Sequence, residues 1–169
     1  MCIRDSYTIN QALKKFNFIA KLVSLFPTRI GSGDRLLLES QIREVLSEKE
    51  AEALIIRTLP NDALKLRTNY SGSNPPYLQP EAAAYMAECG VQHLLVDLPS
   101  VDREEDGGRL LAHRAFWRFP GRTREACTIS ELIYVDNSIE DGLYLLNLQI
   151  ASFELDVSPS KPVLYKLQS

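Results

Sequence analysis

Two histidines, His93 and His113, are all the imidazole this 169-residue chain carries. Any acid–base or metal chemistry built on imidazole must use one or both, with carboxylates as partners. His93 opens an apolar run just after Gly90 and reads as a strand-boundary residue, since a lone histidine has no mechanism without a partner. His113 follows the acidic loop Asp102, Glu104, Glu105 and Asp106 and shares its segment with Leu110, Leu111, Phe116 and Trp117. It reads either as a half-buried helical histidine or as a metal ligand or general base entering a cleft. Glu131 is a candidate partner because it lies in an apolar run with Thr128, Ile129, Leu132 and Ile133, where an unpaired charge is costly. A solvent-facing place on a half-buried strand is the alternative. The acidic loop by itself reads as a solvated turn. No Gly-rich phosphate loop, Gly-x-Ser-x-Gly elbow or Cys-x-x-Cys pair occurs.

The elements that must position these residues follow from periodicity. FNFIAKLVSLF at 16–26 favours a strand ended by Pro27, and a turn follows at Gly31-Ser32-Gly33-Asp34. Ile42, Val45 and Leu46 fall at i, i+3 and i+4, predicting a helix near 40–48. ALIIRTL at 53–59 reads as a buried strand closed by Pro60. Residues 60–79 read as a long excursion, either a flexible surface loop or a cover for an aromatic ligand through Tyr70 and Tyr77. A helix is expected over 80–89, with Pro80 in its first turn and Gly90 just past its end. HLLVDL at 93–98 is the next strand, LLAHRAFW at 110–117 is helical, and strand-like runs occupy 128–133, 144–153 and 162–167. The fold class is α/β: a single domain with a mixed, partly antiparallel sheet and flanking helices, because the late strands have no helix between them.

Composition narrows the setting. Nineteen Lys and Arg against 22 Asp and Glu give a net charge of −3 with no basic block, so neither nucleic acid nor an anionic membrane is an expected partner. No run reaches the length of a transmembrane helix, and the N-terminus lacks an apolar signal core. Cys2, Cys89 and Cys127 are an odd, scattered set that suits reduced thiols in a cytoplasmic protein.

Several segments, in order, resemble the metal-dependent cyclase family, which includes the bacterial kynurenine formamidases. They are Leu54-Ile55-Ile56-Arg57-Thr58, Asn74-Pro75-Pro76-Tyr77, PEAAAYMAECGVQHLLVDLPSVDREEDG at 80–107, His113, Glu131, Asp141-Gly142-x-Tyr144 and Asp156-Val157-Ser158-Pro159. The strongest piece is the strand leading into Leu98-Pro99-Ser100-Val101-Asp102 and then His113. The resemblance implies a cyclase-like β/β/α domain and hydrolysis of a small-molecule amide such as N-formylkynurenine, giving kynurenine and formate in tryptophan breakdown. It implies a divalent cofactor, zinc or manganese, held by an early His-x-Gly-Thr-His-x-Asp motif with a later His and a later Glu. His113 corresponds to the later His and Glu131 to the later Glu. Their separation of 18 residues looks lengthened by RFPGRTREAC, which makes Glu125, 12 residues after His113, the substitute ligand.

No histidine precedes His93, so the early motif and the family's proton-shuttle histidine have no counterpart in this sequence. The expected organisation is a non-family leader over residues 1–6 and one cyclase-like domain over 7–169 lacking its N-terminal portion. Such a chain is expected to hold metal weakly, to be inactive alone, and to bare Phe16, Phe18 and Leu22. The alternatives are a non-catalytic interaction module that kept the fold and a hydrolase of a different amide. A homodimer is compatible with either.

Overall fold

The computed structural model describes residues 8–167. Residues 1–6, expected to be a leader, and Cys2 with them lie outside the described residues. In chain order the elements are α1 (Ile9–Ala12), β1 (Asn17–Leu25), β2 (Thr28–Arg29), β3 (Arg35–Leu37), α2 (Glu39–Val45), β4 (Ala53–Thr58), a 3-10 turn (Ala63–Arg67), β5 (Tyr77–Leu78), α3 (Pro80–Glu88), β6 (His93–Val96), α4 (Leu111–Trp117), β7 (Thr128–Ser130), β8 (Gly142–Ile150) and β9 (Ser160–Lys166).

The main sheet has the order β7-β6-β4-β1-β8-β9. Its first four strands are mutually parallel, while β8 runs antiparallel to β1 and β9 antiparallel to β8. This is the mixed α/β sheet expected from the helix-free C-terminal strands. A second sheet of very short strands, β2-β3-β5, sits apart from it.

β4 explains why a continuous apolar run becomes a central strand. All six of its residues are buried, and the two faces feed two cores. Leu54 and Ile56 join Leu94, Val96, Met86, Phe116 and Ile129 under α2, α3 and α4. Ile55 joins Leu95, Phe18, Ala20, Leu22, Val135, Leu146 and Leu148 on the opposite side. The second core corrects one expectation: Phe18 and Leu22 are covered by it, and of the three residues expected to be bare only Phe16 is exposed, at 36%. The antiparallel ladder of β8 along β1 provides that cover.

Helix α3 forms where the sequence placed it. Pro80 occupies its first turn, and Gly90, at φ +91°, turns the chain out in the left-handed region that glycine enters without strain. His93 begins β6, packs its ring 4.0 Å from that of Phe18 and pairs Nδ1 with Thr128 Oγ1 at 2.9 Å. Burial lowers its pKa to about 4, against a smaller upward pull from Glu52. It is a satisfied core histidine at the amino end of its strand. No helix among the described residues is long and apolar enough to cross a membrane.

Candidate metal centre

Four parallel strands deliver their carboxyl ends to one edge of the sheet, where ligands of open α/β sheets gather. The segments leaving β4, β6 and β7 there begin at Leu59, Asp97 and Glu131. Glu131 therefore follows its strand instead of lying within it, because β7 stops at Ser130. Its carboxylate is partly buried and accepts the Val101 N–H at 2.9 Å.

His113 reaches the same place from α4. Its side chain is 10% exposed, and its ring lies 5.2 Å from that of Trp117. Nδ1 sits 2.6 Å from Asp102 Oδ2, and the same carboxylate accepts the Ala112 N–H at 2.6 Å. A carboxylate can only accept, so this contact assigns a proton to Nδ1. Nε2 then lies 3.6 Å from Glu131 Oε1. With the proton on Nδ1 of a neutral ring, Nε2 and Glu131 Oε1 both present lone pairs, a donor set that could hold a cation. Such a pair could serve as two ligands of a divalent ion, with Asp102 orienting the imidazole from behind as ligating histidines usually require.

The two residues expected as ligands thus converge. The substitute, Glu125, lies exposed in the loop before β7. Among the described residues no cluster of three or more His, Cys, Asp or Glu could hold a metal ion, so the pair fits part of a centre and not a whole one. Asp102 was missed as a partner because four acidic residues in a loop look solvated. Asp102 is 6% exposed and belongs to the site, whereas Asp106 accepts the Leu110 and Gly108 N–H groups on the outside of the loop. The available signal was its place at the end of Leu98-Pro99-Ser100-Val101-Asp102, directly upstream of His113.

One cavity is lined by Glu131 and a second by Asp102. A cavity of about 710 Å³ has Ile55 and Leu95 on its floor and Glu131, Ile139 and Leu164 on its walls. Ser130 and Ser160, from the two outermost strands of the sheet, also line it, and each has a buried hydroxyl with no hydrogen-bond partner among the described residues. The second cavity, about 510 Å³, is lined by Tyr70, Ser71, Pro99, Asp102, Glu104 and Leu132. Leu132 stands at the border of both, 63% exposed with φ +54°. The 60–79 excursion reaches both cavities and is pinned there. Glu104 accepts the Gly72 and Asn74 N–H groups at 2.6 and 3.2 Å, and Asp34 accepts from Asn74 Nδ2 and the Tyr77 hydroxyl. The Asn74 bond is the largest cause holding the Asp34 carboxyl below its ordinary pKa. Burial, reinforced by the charge of Asp97, raises that of the Tyr70 phenol.

Residues 8–103 match the sequence profile of the Cyclase family, described as "Putative cyclase". The kynurenine formamidase of Bacillus mycoides (strain KBAB4) is 25% identical over 138 residues, covering 78% of this chain and 62% of that protein. The chain therefore spans less than two thirds of the length of this relative. Among solved structures, a potential metal-dependent hydrolase with cyclase activity superposes with a TM-score of 0.64 at 15% identity, covering 90% of this chain and 66% of the other. An isatin hydrolase bound to the product analogue thioisatinate gives a TM-score of 0.59 at 14% identity, covering 95% and 62%. These two likenesses establish the shared fold.

Proposed function

The chain belongs to the Cyclase family, and from that premise we propose that His113 and Glu131 are two of the divalent-metal ligands of an amide hydrolase resembling arylformamidase. The reaction is the hydrolysis of N-formylkynurenine to kynurenine and formate, a step of tryptophan breakdown in the cytoplasm, with zinc or manganese as the ion. The observation that carries this reading is the approach of His113 Nε2 to Glu131 Oε1, at 3.6 Å, with Nδ1 held by Asp102. The kynurenine formamidase relative supports the substrate.

Bound between these two donors, a divalent cation would supply Lewis acidity, polarising the formyl carbonyl and lowering the pKa of a water. The chain's own residues do the rest of the positioning. Asp102 keeps the proton on Nδ1 and so keeps the Nε2 lone pair directed into the site. The Val101 N–H fixes Glu131 through Oε1, the same oxygen that faces His113 Nε2. The 710 Å³ cavity has the size of a small-molecule site and an apolar floor suited to an aromatic ring. Neither histidine is left to shuttle protons, since His113 is a ligand and His93 is buried at the far end of β6.

A catalytic centre typically needs about three protein ligands. We assign the remaining ligands and the shuttle to the part of the relatives' length that has no counterpart in residues 7–169. The chain alone accordingly holds metal weakly and does not turn over. The absence of a third donor among the described residues equally favours a non-catalytic module that kept the fold. One experiment separates the two. Metal content after dialysis and formylkynurenine turnover with added zinc or manganese are measured for the 169-residue chain. They are then measured for a chimera carrying the unmatched portion of the Bacillus mycoides relative. The hydrolase reading expects metal and turnover only in the chimera, both lost on His113→Ala. A chimera that folds but takes up no metal supports the module. Stoichiometric metal and turnover in the chain alone would place the site on other residues.

A further inference from the structure

The first turn of the 60–79 excursion is inside out. In Ala63–Arg67 the two leucines point to solvent, Leu64 at 68% and Leu66 at 64% exposure, while the Lys65 side chain between them is 17% exposed. Burying an ammonium and exposing two leucines opposes both hydration and the hydrophobic effect, so the inward position must be strongly solvated by the protein. Four oxygens provide that solvation. Lys65 Nζ donates to the Thr58 carbonyl at 2.5 Å, Thr58 Oγ1 at 2.9 Å, Asn61 Oδ1 at 3.3 Å and Asp97 Oδ2 at 2.8 Å. An ammonium has three protons for these four acceptors, so what they receive is a compact positive charge and not a matched set of donors. The cage is also held by bonds that do not involve the lysine. Thr58 donates its N–H and its hydroxyl to the two oxygens of Asp97, whose side chain is 1% exposed, and Asn61 is fixed by the Val135 carbonyl and Asn137.

We propose that Thr58, Asn61 and Asp97 form a monovalent-cation site at the carboxyl ends of β4 and β6, which the chain fills with its own Lys65 ammonium to fasten the 60–79 excursion beside the metal-ligand pair. Lys65 is a positioning residue. Its neighbour Leu66 lines the cavity that holds Glu131, and Tyr70, further along, lines the one that holds Asp102. The cage uses none of His113, Glu131 and Asp102, so it does not depend on the hydrolase reading.

Backbone hydrogen exchange of the full chain tests it. In Lys65→Ala, the amides of Leu64, Gly72 and Asn74 exchange about tenfold faster or more. The alanine leaves a gap the shape of n-propylammonium, and that ion or ammonium restores protection, while tetramethylammonium at equal ionic strength does not. Lys65→Arg keeps the charge but presents a planar fork that the cage cannot surround, and it too loses protection. This second variant serves if the alanine chain does not fold. Unchanged exchange in either variant, or equal rescue by tetramethylammonium, would overturn the proposal.

Discussion

Two carboxylates directly follow neighbouring parallel strands: Asp97 after β6 and Glu131 after β7. Each accepts one backbone N–H, from Thr58 and Val101 respectively, and each faces a nitrogen from another element. Asp97 meets the Lys65 ammonium at 2.8 Å and is closed by a charge the chain carries itself. Glu131 meets His113 Nε2 at 3.6 Å, a nitrogen whose proton is held on the far side of the ring by Asp102. The same sheet edge thus contains one site completed by the chain's own lysine and one that, as proposed above, a divalent ion would complete.

The largest expected effect lies at the completed site. Lys65→Met leaves Asp97 buried and uncompensated, and should cost about 3–5 kcal/mol in urea denaturation. A loss below about 1 kcal/mol, the usual worth of a surface pair, would erase the contrast between the two sites.

The comparison must be made above the range in which His93 acts. Burial lowers its pKa from 6.5 to about 4, so the unfolded chain binds the proton more readily. Its contribution is whole above pH 6.5 and falls away as pH drops towards 4, by about 3 kcal/mol in total. Melting curves of the chain and of His93→Gln across that interval should converge as pH falls. Parallel curves would mean that His93 does not titrate as its burial requires.

A smaller effect of opposite sign is expected at the incomplete site. Glu131 Oε1 both accepts the Val101 N–H and faces His113 Nε2, so in Glu131→Gln the amide oxygen keeps the Val101 bond while the negative charge beside the Nε2 lone pair is removed. Removing that charge from beside a neutral ring should stabilise the metal-free chain by about 0.5–1 kcal/mol. Destabilisation would show that Glu131 already has its counter-charge. Smallest of all, Leu64→Ser should fall within about ±0.5 kcal/mol, since the residue is exposed; a larger loss would mean that the turn is not inverted in solution.

Much of this was legible in the sequence where local pattern and burial agree. The runs before Pro27 and Pro60 became β1 and β4, and the Pro80–Gly90 bracket became α3. His113 and Glu131 were legible through a family resemblance, not through their spacing. Their 18-residue separation is spanned by most of α4, a loop and β7, so it carries no geometric signature. β2, β3 and β5 escaped because strands of two or three residues have no periodicity to read. Asp102 and Lys65 escaped for a shared reason: both are charged residues in polar loops that fold inward. The partners that make the inward position favourable, Thr58, Asn61 and Asp97 for Lys65 and α4 for Asp102, follow no fixed spacing that a sequence pattern would show.

The central claim is that His113 carries its proton on Nδ1 and offers Nε2, together with Glu131, to a divalent ion. The nitrogen-15 spectrum of the His113 ring near neutral pH, recorded with and without excess zinc, reads both statements at once. The account predicts a protonated Nδ1 throughout, and an Nε2 resonance that moves with zinc in the chain but far less in Glu131→Gln. A proton found on Nε2, or a His113 ring indifferent to zinc, would contradict it.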